Sequence, residues 1–184
     1  PVKSYFDQTY NIMVWEGDYW PNEDGHYHGV EDKKYGSTKT NNVWGPTKQG
    51  DEYLTDILSN NACEFISQNS GSEKPFFLYL AHSFPHIPLF AGENFWGKNA
   101  GGYYADVIEE LDHSTGQIME SLESLGLDND TLVIFTSDNG PWIGMMEFGG
   151  SAGALRGGKG STYEGGMRVP GLFWGPGHIV PGVH

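Results

Sequence analysis

Thr131-Leu132-Val133-Ile134-Phe135-Thr136-Ser137-Asp138-Asn139-Gly140-Pro141 reads as a short strand that runs directly into a turn. Its first six residues are β-branched, aliphatic or aromatic without alternation, the composition of a strand buried on both faces. A polar turn, Asp128-Asn129-Asp130, leads in, and the Asn-Gly-Pro sequence closes it. Strands covered on both faces belong chiefly to parallel sheets flanked by helices.

The flanking segments agree. Between 103 and 125, Tyr104, Val107, Ile108, Leu111, Thr115, Ile118, Leu122 and Leu125 fall on one helical stripe, with Glu109, Glu110, Glu120 and Glu123 off it and Gly126 as the stop. Further upstream, Phe76-Phe77-Leu78-Tyr79-Leu80-Ala81 is a second apolar run of strand length, opened by Pro75. Leu54, Ile57, Leu58, Phe65 and Ile66 predict a helix before it, with Asp51 as N-cap and Asn69-Ser70-Gly71-Ser72 as its end. Downstream, Leu172-Phe173-Trp174 is a third strand candidate. Helix, strand, helix, strand predicts an α/β fold with a mostly parallel central sheet flanked by helices. Residues 1–50, rich in Trp, Tyr, Gly, Asn and Asp, hold neither period and predict long loops with short strands.

A chain of 184 residues with 38% hydrophobic and 14% aromatic content supports one core, and so one domain or part of one, 1–50 loop-rich and 51–184 the α/β core. The opening at Pro1-Val2-Lys3, without an initiator Met, leads us to expect an internal stretch of a larger chain. No apolar run approaches the roughly 20 residues that span a bilayer, so no membrane insertion is expected. A net charge of −14 argues against nucleic acid or an anionic membrane as partner, because gripping phosphates takes a basic face. Cys63, the sole cysteine, leaves no internal disulfide and no Cys-rich zinc site.

Four residues stand where chemistry is to be expected. Asp138 and Asn139 project from the carboxyl end of a strand, where open α/β sheets place ligands, and their hard oxygens suit Ca²⁺ or Mg²⁺. A plain Asn-Gly turn explains the same residues. His86, in Ala81-His82-Ser83-Phe84-Pro85-His86-Ile87-Pro88, follows the other strand, which predicts it on the same sheet edge as Asp138. There an imidazole suits an anionic oxygen or a leaving group, and a rigid Pro-flanked loop is the alternative. Arg156, Lys159 and Arg168 face only Glu164 across 153–171, a basic island in an acidic chain.

Within that island, Gly153-Ala154-Leu155-Arg156-Gly157-Gly158-Lys159-Gly160 nearly fits a phosphate-binding loop. Gly160 replaces the hydroxyl residue such loops need, and neither a strand before nor a helix after is predicted. Lys159 between glycines still suits an oxyanion, or is an ordinary exposed lysine. His26, His28 and His113 read as surface residues.

Phe76 to Pro88, Tyr104 to Gly126, Leu132 to Pro141 and Gly149 to Pro170 together resemble, in order, the second half of the catalytic domain of the formylglycine-dependent sulfatase family, of the arylsulfatase and N-acetylgalactosamine-6-sulfatase type. The most specific stretch is Gly157-Gly158-Lys159-Gly160-Ser161-Thr162-Tyr163-Glu164-Gly165-Gly166-Met167-Arg168-Val169-Pro170. The resemblance implies an alkaline-phosphatase-like fold, incomplete here, and hydrolysis of a small-molecule or glycan sulfate ester. By position, Asp138 and Asn139 match two metal ligands for Ca²⁺, or Mg²⁺, His86 matches a sulfate-contacting histidine, and Lys159 matches a lysine that binds sulfate and assists the leaving oxygen.

Cys63 lacks the following Pro and Arg of the formylglycine motif, so that nucleophile is expected outside this chain. The family's early Asp-Asp metal pair and its G-K-W-H segment have no match either. Glu164 and Arg168 are expected to form a structural ion pair. The resemblance also points to a secreted, periplasmic or lysosomal setting. Two other readings stay open: a phosphate-ester hydrolase of the same superfamily, and a non-catalytic binding protein that retains the fold.

Overall fold

A computed structural model describes residues 11–16, 27–34, 37–43, 54–87 and 89–182, the first three stretches and Leu54 by backbone alone. In chain order they form β1 (Asn11–Glu16), β2 (Tyr27–Lys34), β3 (Ser37–Val43), α1 (Leu54–Asn69), β4 (Phe76–Leu80), α2 (Tyr103–Ser124), β5 (Val133–Thr136), α3 (Glu164–Met167) and β6 (Gly171–Trp174). Two 3-10 segments, Asp128–Asp130 before β5 and Ile143–Phe148 after it, flank that strand and the turn that follows it. The expected α/β class holds. Asp51 and His26 lie outside the described residues, and His28 is described only as backbone in β2.

The sheet differs from the mostly parallel one expected. One sheet runs β3-β2-β1-β4, in which only the β1–β4 pair is parallel, and β5 and β6 form a separate antiparallel pair. Hairpin geometry explains the difference. Lys34 pairs with Ser37, so β2 and β3 close across two residues, far short of the crossover that parallel pairing requires. β1 meets its parallel neighbour β4 only after that hairpin and α1 have intervened. Within residues 1–50 the described residues form three strands of six, eight and seven residues. β3, Ser37-Thr38-Lys39-Thr40-Asn41-Asn42-Val43, has no apolar alternation for a sequence reading to find.

The core lies between α1, α2 and one face of β4. Ile57, Leu58, Ala62 and Phe65 of α1 cluster with Val107 and Leu111 of α2, and Phe76, Leu78 and Leu80 pack against them. Phe65 meets Phe76 edge to face, ring centres 5.9 Å apart. Burying each such side chain contributes about 1.5–3 kcal/mol. Phe77 and Tyr79, on the opposite face of β4, are 43% and 54% exposed, so that face is not buried as the apolar run led us to expect. The β5–β6 pair departs further: Ile134 is 52% exposed and Leu172 and Phe173 each 60%. Among the described residues no layer covers that pair.

Helix α2 ends as its sequence predicts. Gly126 takes φ 67°, its amide donates to the Glu123 carbonyl at 3.0 Å, and the Leu127 amide donates to the Leu122 carbonyl at 2.9 Å. This paired closure needs a left-handed residue, which glycine supplies without steric cost. The buried face of α2 is more polar than the predicted stripe. Val107, Leu111 and Leu122 are buried as expected, whereas Ile108 and Leu125 are exposed and Asp106, Glu110 and Ser114 are buried. The Asp106 carboxylate accepts the amides of Gly97, Lys98 and Asn99 at 2.8, 3.2 and 2.7 Å. Glu110 accepts the Gly92 amide at 2.8 Å. Two carboxylates therefore hold the loop between β4 and α2 onto the helix.

Candidate oxyanion and metal site

The turn after β5 and the glycine-rich loop before α3 are laced together by their backbones. The Gly140 amide donates to the Gly166 carbonyl at 3.0 Å, and the Lys159 amide donates to the Pro141 carbonyl at 2.7 Å. Glycine is required where they touch: a Cβ on Gly158 would lie 2.5 Å from the Pro141 oxygen, and one on Gly140 would run into the Gly165 carbonyl. The loop is also closed on itself, with the Gly165 amide on the Arg156 carbonyl at 2.8 Å. Asp138, Asn139 and Lys159 are thereby carried on one framework, although they are far apart in sequence.

His86 reaches that framework by a route the sequence does not predict. β4 and β5 belong to different sheets, so His86 and Asp138 do not share a sheet edge. The link is Trp142, immediately after the Asp138 turn. Its ring lies 5.8 Å from the His86 ring, tilted by 52°, and the Lys159 Nζ stands 5.5 Å from its centre. The His86 Nδ1 is 2.6 Å from the Ile87 carbonyl oxygen. A carbonyl only accepts, so Nδ1 carries a proton in this contact. Beside this cluster runs an apolar groove of ≈ 270 Å³ lined by Ile87, Leu89, Trp96, Tyr103, Met145 and Phe148.

Asp138 is exposed and Asn139 half-buried, with the Ser137 hydroxyl donating to the Asn139 carbonyl at 3.0 Å. Their oxygens fit a hard divalent ion in kind. They supply part of its shell, since Ca²⁺ takes about 6–8 oxygen ligands. Among the described residues no group of three or more His, Cys, Asp or Glu is arranged to hold a metal.

Other candidates take structural places. Glu164, which opens α3, and Arg168, just past its end, form the expected ion pair, 2.7 Å apart and exposed. The Arg156 guanidinium lies 3.8 Å from the centre of the Tyr163 ring and donates to its hydroxyl at 2.8 Å. His113 is exposed and packs against Phe95. Burial raises the Cys63 thiol above its ordinary pKa, and its Sγ faces the Gln117 carbonyl at 3.7 Å, an inert setting. His82 sits at the end of a buried hydroxyl chain, its Nε2 3.4 Å from Ser114, whose Oγ is 2.5 Å from that of Ser59. Burial lowers its pKa to about 4.

Sequence reasoning singled out His86, Asp138, Asn139 and Lys159 and did not single out Trp142, the ring that lies near both His86 and Lys159. The signal available was a large aromatic set directly after Asn139-Gly140-Pro141 in an otherwise glycine-rich stretch.

Known proteins share this arrangement of segments. Human arylsulfatase A is 46% identical over 122 residues, covering 66% of this chain and 24% of that protein. Mouse N-acetylgalactosamine-6-sulfatase is 42% identical over 136 residues, covering 73% and 26%. Rat steryl-sulfatase is 43% identical over 143 residues, covering 74% and 24%. The chain thus spans about a quarter of the length of the curated relatives it matches. Among solved structures, the PsFucS1 sulfatase from Pseudoalteromonas sp. superposes with a TM-score of 0.70 at 29% identity over 83% of this chain and 30% of that one. Ps i-CgsB gives 0.68 at 33% identity over 83% and 32%. The sulfatase family model matches residues 4–184, and the chain belongs to the sulfatase family.

Proposed function

We propose that the intact protein is a sulfuric ester hydrolase, in which Lys159 and His86 hold the sulfate and Asp138 and Asn139 supply part of a Ca²⁺ or Mg²⁺ shell. The observation that supports this reading is the meeting of Lys159 and His86 on one indole, beside the turn that carries two hard oxygen donors. A dianionic-like transition state needs fixed positive charge where its oxygens gather, and preorganised donors of this kind are the largest contributors to such catalysis.

Formylglycine, expected outside these residues, would supply the attacking oxygen, and a divalent ion held in part by Asp138 and Asn139 would polarise the sulfate. Within this chain, the Lys159 ammonium faces the charge that develops on the ester oxygen as the S–O bond breaks, and delivers a proton to the departing alcohol. Protonated His86 donates from Nε2 to a sulfate oxygen while the Ile87 carbonyl fixes the ring through Nδ1. The names of the relatives span aryl, steryl and aminosugar sulfatases, which supports a small-molecule or glycan sulfate ester as substrate.

The test is turnover of 4-nitrophenyl sulfate against 4-nitrophenyl phosphate by the intact protein. Sulfate release without phosphate release supports the assignment, and Lys159→Ala lowers kcat by about 10²-fold. The opposite ester preference identifies a phosphate-ester hydrolase, and binding of both without turnover identifies a non-catalytic protein.

A further inference from the structure

We propose that Trp142 is a positioning residue for the oxyanion site, its indole face holding the Lys159 ammonium in register with the His86 ring; this rests on the function proposed above. Three observations converge. The indole contacts both residues, its ring centre 5.8 Å from the His86 ring and 5.5 Å from the Lys159 Nζ. Lys159 is exposed and forms no ion pair among the described residues, so the aromatic face is what restrains a long, otherwise free side chain. The third observation is the rigidity of the platform under the ring.

That platform is built from close backbone approaches. The Met145 amide donates to the Trp142 carbonyl at 2.9 Å, and the Ile143 and Lys159 amides share the Pro141 carbonyl at 3.1 and 2.7 Å. A Cβ on Gly149 would collide with the Trp142 carbonyl, and one on Gly158 would crowd the Pro141 carbonyl. Two glycines thus let two loops clamp residues 141 and 142. An indole that is itself 36% exposed is held in place by its backbone rather than by burial. A cation over an aromatic face is attracted by the ring quadrupole, most strongly for tryptophan. Lysine has four rotatable side-chain bonds, and such an attraction narrows where the ammonium spends its time.

A merely space-filling role and a cation-holding role separate cleanly by substitution. Trp142→Leu keeps an apolar side chain and removes the π face, whereas Trp142→Phe keeps a weaker one. In the intact protein, Trp142→Leu is expected to lower kcat for 4-nitrophenyl sulfate by about five- to tenfold, with Trp142→Phe recovering most of it. KM changes less than kcat, because the loss falls on the transition-state charge. Binding of inorganic sulfate, followed by calorimetry, should weaken in the same order, and thermal melts of both variants check folding.

Equal behaviour of the Leu and Phe variants, or a Leu variant indistinguishable from the parent in both kcat and sulfate binding, overturns the proposal. If the parent protein turns over no sulfate ester but sulfate binding still follows Trp, Phe, Leu, the positioning role stands and the hydrolase assignment falls.

Discussion

The Gly140 amide donates to the Gly166 carbonyl at 3.0 Å, and this bond holds the turn bearing Asp138 and Asn139 against the loop bearing Lys159. A methyl group at 140 would overlap the Gly165 carbonyl, a backbone atom that cannot swing aside. Gly140→Ala is therefore expected to separate the two loops at a cost of about 1–3 kcal/mol. Its sharper effect is on the site: sulfate affinity and turnover should both fall, while the melt shifts by only a few degrees. A variant with unchanged turnover would show that the two loops need not touch for the site to work.

Asp106 is fully buried and accepts three consecutive amides, those of Gly97, Lys98 and Asn99. Asparagine is nearly isosteric but offers one oxygen and a pair of N–H donors, which face amides that also donate. Asp106→Asn is expected to lose about 3 kcal/mol in urea denaturation, because hydrogen bonds to a charged acceptor each contribute roughly 1.5–3 kcal/mol. A loss under about 1 kcal/mol would mean the loop is held by its apolar contacts instead.

The β5–β6 pair places Ile134, Leu172 and Phe173 largely in solvent. Ile134 and Phe173 pair across the two strands and share one face, while Leu172 lies on the other; exposed apolar surface of this kind recruits apolar ligands and promotes association. A polypeptide of these 184 residues alone is expected to bind an environment-sensitive apolar dye. Leu172→Thr with Phe173→Thr should reduce that binding without changing the helical circular dichroism signal. Dye binding untouched by the pair would locate the exposed surface elsewhere.

These differences show what periodicity and composition carry. Helices α1 and α2 and strands β4, β5 and β6 were legible because each has a distinct apolar run and a stop, such as Gly126 with its positive φ. Burial was not legible in the same way. An apolar run reports that a strand is suited to be covered, whereas Phe77 is 43% and Ile134 52% exposed. Glu110 read as a surface carboxylate because its burial depends on the Gly92 amide, eighteen residues away, which no helical period encodes. The four candidate residues were singled out through local motifs. Trp142 was not, since its role arises only where three separated segments meet.

Two buried groups of opposite sense set the pH dependence of stability. Burial holds His82 down at about 4, against 6.5 for an ordinary histidine, so between those values the unfolded chain binds a proton that the folded chain refuses. Stability from this group is lost as pH falls through that window. Burial raises Glu110 to about 7 from 4.5, aided by the nearby Asp56 charge and opposed by the Gly92 amide. Here the folded chain keeps a proton that the unfolded chain has released, and stability is lost as pH rises from 4.5 to 7. The two slopes oppose each other across about pH 4.5–6.5 and should leave a nearly flat profile there. Glu110→Gln retains an oxygen for the Gly92 amide and removes the titration. The variant should gain up to about 2 kcal/mol at pH 8, where the folded parent bears the cost of ionising a buried carboxyl. Its stability should also now rise steadily with pH through the His82 window. Chemical denaturation at half-unit pH steps distinguishes the profiles, and a variant that stays flat from pH 4.5 to 6.5 would show that His82 does not titrate as its burial demands.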